Sequence, residues 1–188
     1  MQWTLSNQLT VARVALIPLL IAAFYFTPSP WNYYLTAFIF ALAGFTDWLD
    51  GYIARNRNEV TAFGRFLDPV ADKLLVATSL VLLVEGGYAP AILAVIIIGR
   101  EITIGALREW LAEGAKVVHV SEMGKWKTAM QLVAIEALFL HVEIMGFYFH
   151  QAGLVLLWLA AVLTLWSGYE YLRNAWLELR SQQSKKES

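Results

Sequence analysis

The sequence predicts an all-α integral membrane protein of six transmembrane helices, and three observations lead there. The first is composition: 59% of the 188 residues are hydrophobic and 15% are charged, with a mean hydropathy of +0.54. Soluble domains carry roughly 45–50% apolar and about 25% charged residues, so this chain has more apolar surface than a core of its own can hide. The second is that six stretches each supply the roughly 20 mainly apolar residues a spanning helix needs. They run over about 8–26, 33–55, 62–85, 89–111, 124–146 and 151–174, within one membrane-embedded domain covering 1–188. The third is charge placement. Six spans put both termini and the second and fourth loops on one side, and all 14 Lys and Arg residues fall there or in that half of the membrane. The opposite loops contain none, which places both termini in the cytoplasm of a bacterial cell, in its inner membrane.

Each span has its own punctuation. The first opens with Asn7-x2-Thr10-x2-Arg13 and runs into Thr27-Pro28-Ser29-Pro30, which carries turn chemistry and not a small-residue cleavage site. It therefore reads as a retained helix and not a removed signal peptide. The polar run Asn56 to Thr61 separates the second and third spans, and Gly86-Gly87 the third and fourth. The fourth begins near Pro90 and turns polar through Arg100, Glu101, Arg108 and Glu109; Lys125 and Lys127 open the fifth. From Arg173 the sixth becomes polar and ends as a fraying tail. Eight Trp and eight Tyr gather mostly near the expected membrane faces, as interfacial belts do. The absence of cysteine excludes a disulfide framework, a thiolate metal site and a cysteine nucleophile. No nucleic-acid partner is expected.

The chemistry is concentrated between Asp47 and Lys73, DWLDGYIARNRNEVTAFGRFLDPVADK. Asp47 and Asp50 are three apart at the end of the second span, and Asp68 and Asp72 are four apart early in the third. Residues at these spacings share a helix face. Gly51 and Arg55 continue the first stripe, and Gly64 stands one turn before Asp68. Any one of these aspartates could serve only as a cap or answer a helix dipole. Four on two stripes, each costing roughly 2.5–3.5 kcal/mol if it faced lipid, call for a polar cavity open to the cytoplasm.

Oxygen-only ligands favour Mg²⁺, Mn²⁺ or Ca²⁺, and four carboxylates from two helices can hold two such ions around a diphosphate. Arg55 can pair with a phosphate, Gly51 leaves room for a bulky planar group, and one carboxylate can take a proton from an incoming hydroxyl. Pro69, early in the third span, reads as structural.

The pattern Asp47-x2-Asp50-Gly51-x2-Ala54-Arg55-x8-Gly64-x3-Asp68-x3-Asp72 resembles, without a departure, the signature of the CDP-alcohol phosphotransferase family. That resemblance implies a six-helix membrane enzyme, a homodimer, that uses two Mg²⁺ or Mn²⁺ ions to transfer a substituted phosphate from a CDP-linked donor to an alcohol. Carried over by position, Asp47, Asp50, Asp68 and Asp72 become metal ligands and Asp72 the general base. Asn7, Thr10, Asp47, Gly51, Arg55 and Gly64 fall on the side that holds CDP. Within the family, the Asn7–Arg13 segment, Gly99-Arg100-Glu101, Arg108, Lys125-x-Lys127 and the last span resemble the members that take CDP-diacylglycerol as donor and glycerol 3-phosphate as acceptor.

A dianionic acceptor needs fixed cations besides metal, so Arg13, Arg100, Arg108, Lys125 and Lys127 are the candidates for its phosphate. For Arg100 and Arg108 a structural ion pair is the rival reading, for the two lysines simple anchoring at the membrane face. Serine, an inositol phosphate or another phospholipid remain alternative acceptors. A divalent-metal transporter is the alternative from another class, disfavoured because all four aspartates lie towards one face.

Overall fold

Two threonines start two of the helices. The Thr4 hydroxyl accepts the Asn7 N–H at 3.3 Å and the Thr61 hydroxyl accepts the Gly64 N–H at 3.0 Å, each satisfying an amide that has no partner inside its helix. The computed structural model describes residues 4–57, 61–113, 123–140, 143–144 and 147–186. Its helices are α1 (Leu5–Phe26), α2 (Trp31–Arg57), α3 (Ala62–Glu85), α4 (Ala91–Glu113), α5 (Met123–Leu140) and α6 (Phe149–Lys186). Between α3 and α4, the Gly86 and Tyr88 N–H groups donate to the carbonyls of Leu82 and Leu83 at 2.9 and 2.8 Å. Gly87 turns the chain at φ +75°, a conformation that glycine adopts without strain.

Two details differ from the sequence expectation. The fifth helix ends at Leu140 and not near 146, and is followed by a short antiparallel ladder of β1 (Glu143–Ile144) and β2 (Phe147–Tyr148). A brief apolar run does not distinguish strand from helix, and Gly146 is a poor helix former. The sixth helix continues past 174 to Lys186, because a polar composition does not by itself end a helix that contains no glycine or proline near its close. Pro69 lies two turns inside α3, early in the helix as expected.

Helix α1 lies against both α2 and α3, while α2 and α3 touch each other little. Helix α5 packs on α6, α2 and α3, and α4 on α6 and α3. One apolar core draws on all six helices, with Leu20, Ala43, Leu75, Leu93, Ile135 and Leu157 fully or almost fully buried. A smaller cluster of Ile104, Leu111, Tyr171 and Ala175 joins α4 to α6.

The outside is apolar as well. Leu19, Phe38, Val81, Val95, Val133 and Val162, one from each helix, are 54–66% exposed. Soluble monomers rarely expose contiguous apolar patches beyond a few hundred Å², whereas lipid is the natural cover for such a surface on every helix. Two stretches, Asn7–Phe26 and Phe149–Trp176, are long and apolar enough to cross a membrane on composition alone. The other four helices are diluted by the polar residues that build the site. The protein is an all-α integral membrane protein.

Candidate active site

The site begins with a polar stripe on α1. Asn7, Thr10 and Arg13 follow one another at three-residue steps, so they share a face, and all three are buried. The cap of α1 is Thr4, which frees Asn7 and Thr10 to reach α3. The Thr10 hydroxyl donates to Asp68 Oδ1 at 2.5 Å, and the Thr61 hydroxyl donates to Asn7 Oδ1 at 2.7 Å. Gly64 makes this approach possible. A Cβ there would stand 3.0 Å from Asn7 Oδ1 and 3.2 Å from Thr61 Oγ1, with Asp68 Oδ2 at 3.7 Å.

One turn further along, Arg13 enters the acidic stripe of α2. Its Nη1 lies 2.7 Å from Asp47 Oδ1, and its Nη2 donates to Asp50 Oδ2. The guanidinium is fully buried and the Asp50 side chain nearly so, while that of Asp47 is 47% exposed and opens the cluster outward. Asp50 is within electrostatic reach of Asp47 and Asp68, and Asp72 within reach of Asp47 and Arg13. Asp47, Asp50 and Asp72 therefore share one arginine, and Asp68 stands beside Asp50. Gly51 follows Asp50 on α2, half-buried.

The sequence placed Arg13 among the cations for the acceptor phosphate; in the structure its guanidinium is committed to Asp47 and Asp50. Among the described residues no three His, Asp or Glu side chains converge to hold a metal ion as they stand. The donor set nevertheless suits one. Its atoms are all carboxylate oxygens, and among the described residues Arg13 and Lys73 are the positive charges that act on Asp50 and Asp72. Hard divalent cations fit that chemistry.

The other expected cations are differently placed. Arg100 Nη1 and Lys127 Nζ both meet Glu101 Oε1, at 2.8 and 2.6 Å, and Arg100 Nη2 donates to the Ser167 hydroxyl at 3.1 Å. This knot ties α4 to α5 and α6, and it takes up two of the cations that the sequence offered to the acceptor. Arg108 is exposed and sits 5.9 Å from the centre of the Tyr171 ring. The side chains of Arg55 and Lys125 lie outside the described residues.

A cavity of about 170 Å³ opens between α3, α4 and α5. Its walls are largely apolar, with Asp72, Lys73, Glu101, Thr128 and Gln131 as the polar members. Asp72 therefore faces the acidic nest on one hand and this cavity on the other. Sequence reasoning counted Lys73 only as a charge that orients the helices. Its position directly after Asp72 was the available signal for more.

Residues 3–166 match the family described as CDP-alcohol phosphatidyltransferase. The chain belongs to that family. It is 45% identical over 179 residues to the CDP-diacylglycerol–glycerol-3-phosphate 3-phosphatidyltransferase of Haemophilus influenzae, covering 93% of this chain and 95% of that protein. It is 46% identical over 186 residues to the Escherichia coli K12 protein of the same name, covering 97% and 100%, and 45% identical over 184 residues to the Pseudomonas fluorescens protein, covering 95% and 93%. The acidic nest of this family member thus lies at the meeting of α1, α2 and α3, with a cavity behind its last aspartate.

Proposed function

We propose that this chain transfers the phosphatidyl group of CDP-diacylglycerol to glycerol 3-phosphate, yielding phosphatidylglycerol phosphate and CMP. What carries the reading is the place of Asp72, shared between the four-carboxylate nest and the cavity wall. The near full-length likeness to relatives named for this reaction supports the choice of donor and acceptor.

Asn7, Thr10, Gly51, Arg55 and Gly64 lie on the side assigned to the CDP moiety, with Asp47 beside them. Asp47, Asp50, Asp68 and Asp72 would hold two Mg²⁺ or Mn²⁺ ions. These would neutralise the diphosphate and the charge that develops on the departing oxygen. Asp72 accepts the proton of the primary hydroxyl of glycerol 3-phosphate. The hydroxyl oxygen forms a bond to the phosphorus on the diacylglycerol side as the bond from that phosphorus to the CMP oxygen breaks. CMP leaves with the electron pair. The displacement is direct, and no covalent enzyme intermediate is required.

The whole of 1–188 works in this reading as one membrane-embedded catalytic domain, in a homodimer. It sits in the bacterial cytoplasmic (inner) membrane with its termini and site on the cytoplasmic side, where both glycerol 3-phosphate and the lipid headgroup are within reach. The test is CMP release by the purified protein from CDP-diacylglycerol and Mg²⁺ with a panel of acceptors. Glycerol 3-phosphate should support turnover well above serine, an inositol phosphate or a phospholipid. Preference for any of these would replace the acceptor while leaving the chemistry in place.

A further inference from the structure

We infer that Lys73 is the cation that receives the phosphate of the acceptor in the cavity behind Asp72. The inference rests on the reading of the function given above.

Lys73 follows Asp72 on α3 and its side chain crosses to α4. There the ammonium fits a notch left by Gly105: a Cβ on that residue would stand 2.4 Å from Nζ and 3.5 Å from Cε. No hydrogen bond or ion pair engages the Lys73 ammonium among the described residues. Asp72 acts on it only at electrostatic range. A lysine charge within a membrane helix is costly and marks a functional site by default. The nearby carboxylate that might have quenched it, Glu101, stands one turn before Gly105 and already meets Arg100 and Lys127 through Oε1.

Three facts then converge. The cavity holds one carboxylate suited to deprotonate a hydroxyl, one uncommitted ammonium beside it, and the polar side chains of Thr128 and Gln131 on the facing wall. An acceptor with a hydroxyl at one end and a phosphate at the other is the small molecule this pair suits. Its phosphate meets Lys73, a compact point charge of the kind that binds phosphates, while its free end is turned towards Asp72. A neutral acceptor would leave the ammonium unanswered, so the same residue discriminates between acceptors.

The experiment measures KM for each substrate separately in wild type, Lys73→Gln, Lys73→Arg and Gly105→Ala. Lys73→Gln should raise KM for glycerol 3-phosphate by about 10–100-fold, the range of a hydrogen bond to a charged group. KM for CDP-diacylglycerol should move less than about threefold. Lys73→Arg should recover most of the acceptor affinity. Gly105→Ala, which fills the notch, should raise the acceptor KM while leaving Lys73 in the chain. An unchanged acceptor KM in Lys73→Gln, or an equal rise for both substrates, overturns the assignment while wild-type turnover leaves the function standing. Absence of wild-type CMP release with glycerol 3-phosphate would remove the function and this assignment together.

Discussion

Arg13 shows what a single residue contributes when its partners come from another helix. Its buried guanidinium contacts Asp50, whose side chain is 5% exposed. Removing one member of a buried pair costs about 3–5 kcal/mol, because the other is left charged and unpaired. Arg13→Ala should therefore lower the melting temperature clearly. Added Mn²⁺ should return part of the loss if cations occupy the same carboxylates, by about 2.7 kcal/mol at a hundredfold excess over Kd. Thermal unfolding in detergent with and without Mn²⁺ measures both, and a variant as stable as wild type would deny the pair its role.

At Asp72 the expected loss is kinetic. Asp72→Asn should lower kcat by about 10²–10⁴-fold, the usual reach of a general base, with CDP-diacylglycerol binding largely kept. Normal turnover in that variant would take the proton from Asp72 and give it to another group. The four aspartates were legible in the sequence because their spacing repeats the helical period. The partners of Asn7, Thr10 and Arg13 were not, since nothing in a one-dimensional pattern says which helix a polar stripe will face. Their own three-residue spacing was the part that could be read.

At the scale of the element, α1 is the piece that assembles the nest. The sequence offered four carboxylates from two helices; the structure has α1 joining those helices, with Thr10 on Asp68 and Arg13 on Asp47 and Asp50. Helix α4 has a different duty. Arg100 and Glu101 fasten it to α5 through Lys127 and to α6 through Ser167. Arg100→Ala should accordingly weaken both substrates alike and lower stability. Separate KM determinations check this, and a rise confined to glycerol 3-phosphate would restore Arg100 to the acceptor. Helix lengths were readable where apolar runs met glycine or proline. They were misread at Glu143–Ile144, where a short segment fits strand and helix equally.

Across the whole molecule, asymmetry of charge carries the topology. Arg13, Arg100 and Lys127 belong to the nest and the Glu101 knot, while the connections 27–30 and 86–90 contain no Lys or Arg. The chain has no cysteine, so introduced ones report cleanly. A membrane-impermeant maleimide applied to intact cells should label Ser29→Cys, between α1 and α2, and leave Ser184→Cys unlabelled. The reverse pattern would invert the protein in its membrane. Fold class and family were readable from composition and a single signature, because both depend on local pattern. The cavity and its lysine were not, because they exist only where α3, α4 and α5 meet.

The most direct test of the acidic nest is a Mn²⁺ titration of the purified protein followed by electron paramagnetic resonance, comparing wild type with Asp50→Asn and Asp68→Asn. Two saturable ions per chain in wild type, with at least one lost in each variant, is the predicted result. Wild type with no saturable binding, or variants that bind as wild type does, would contradict a metal-bearing site at the junction of α1, α2 and α3.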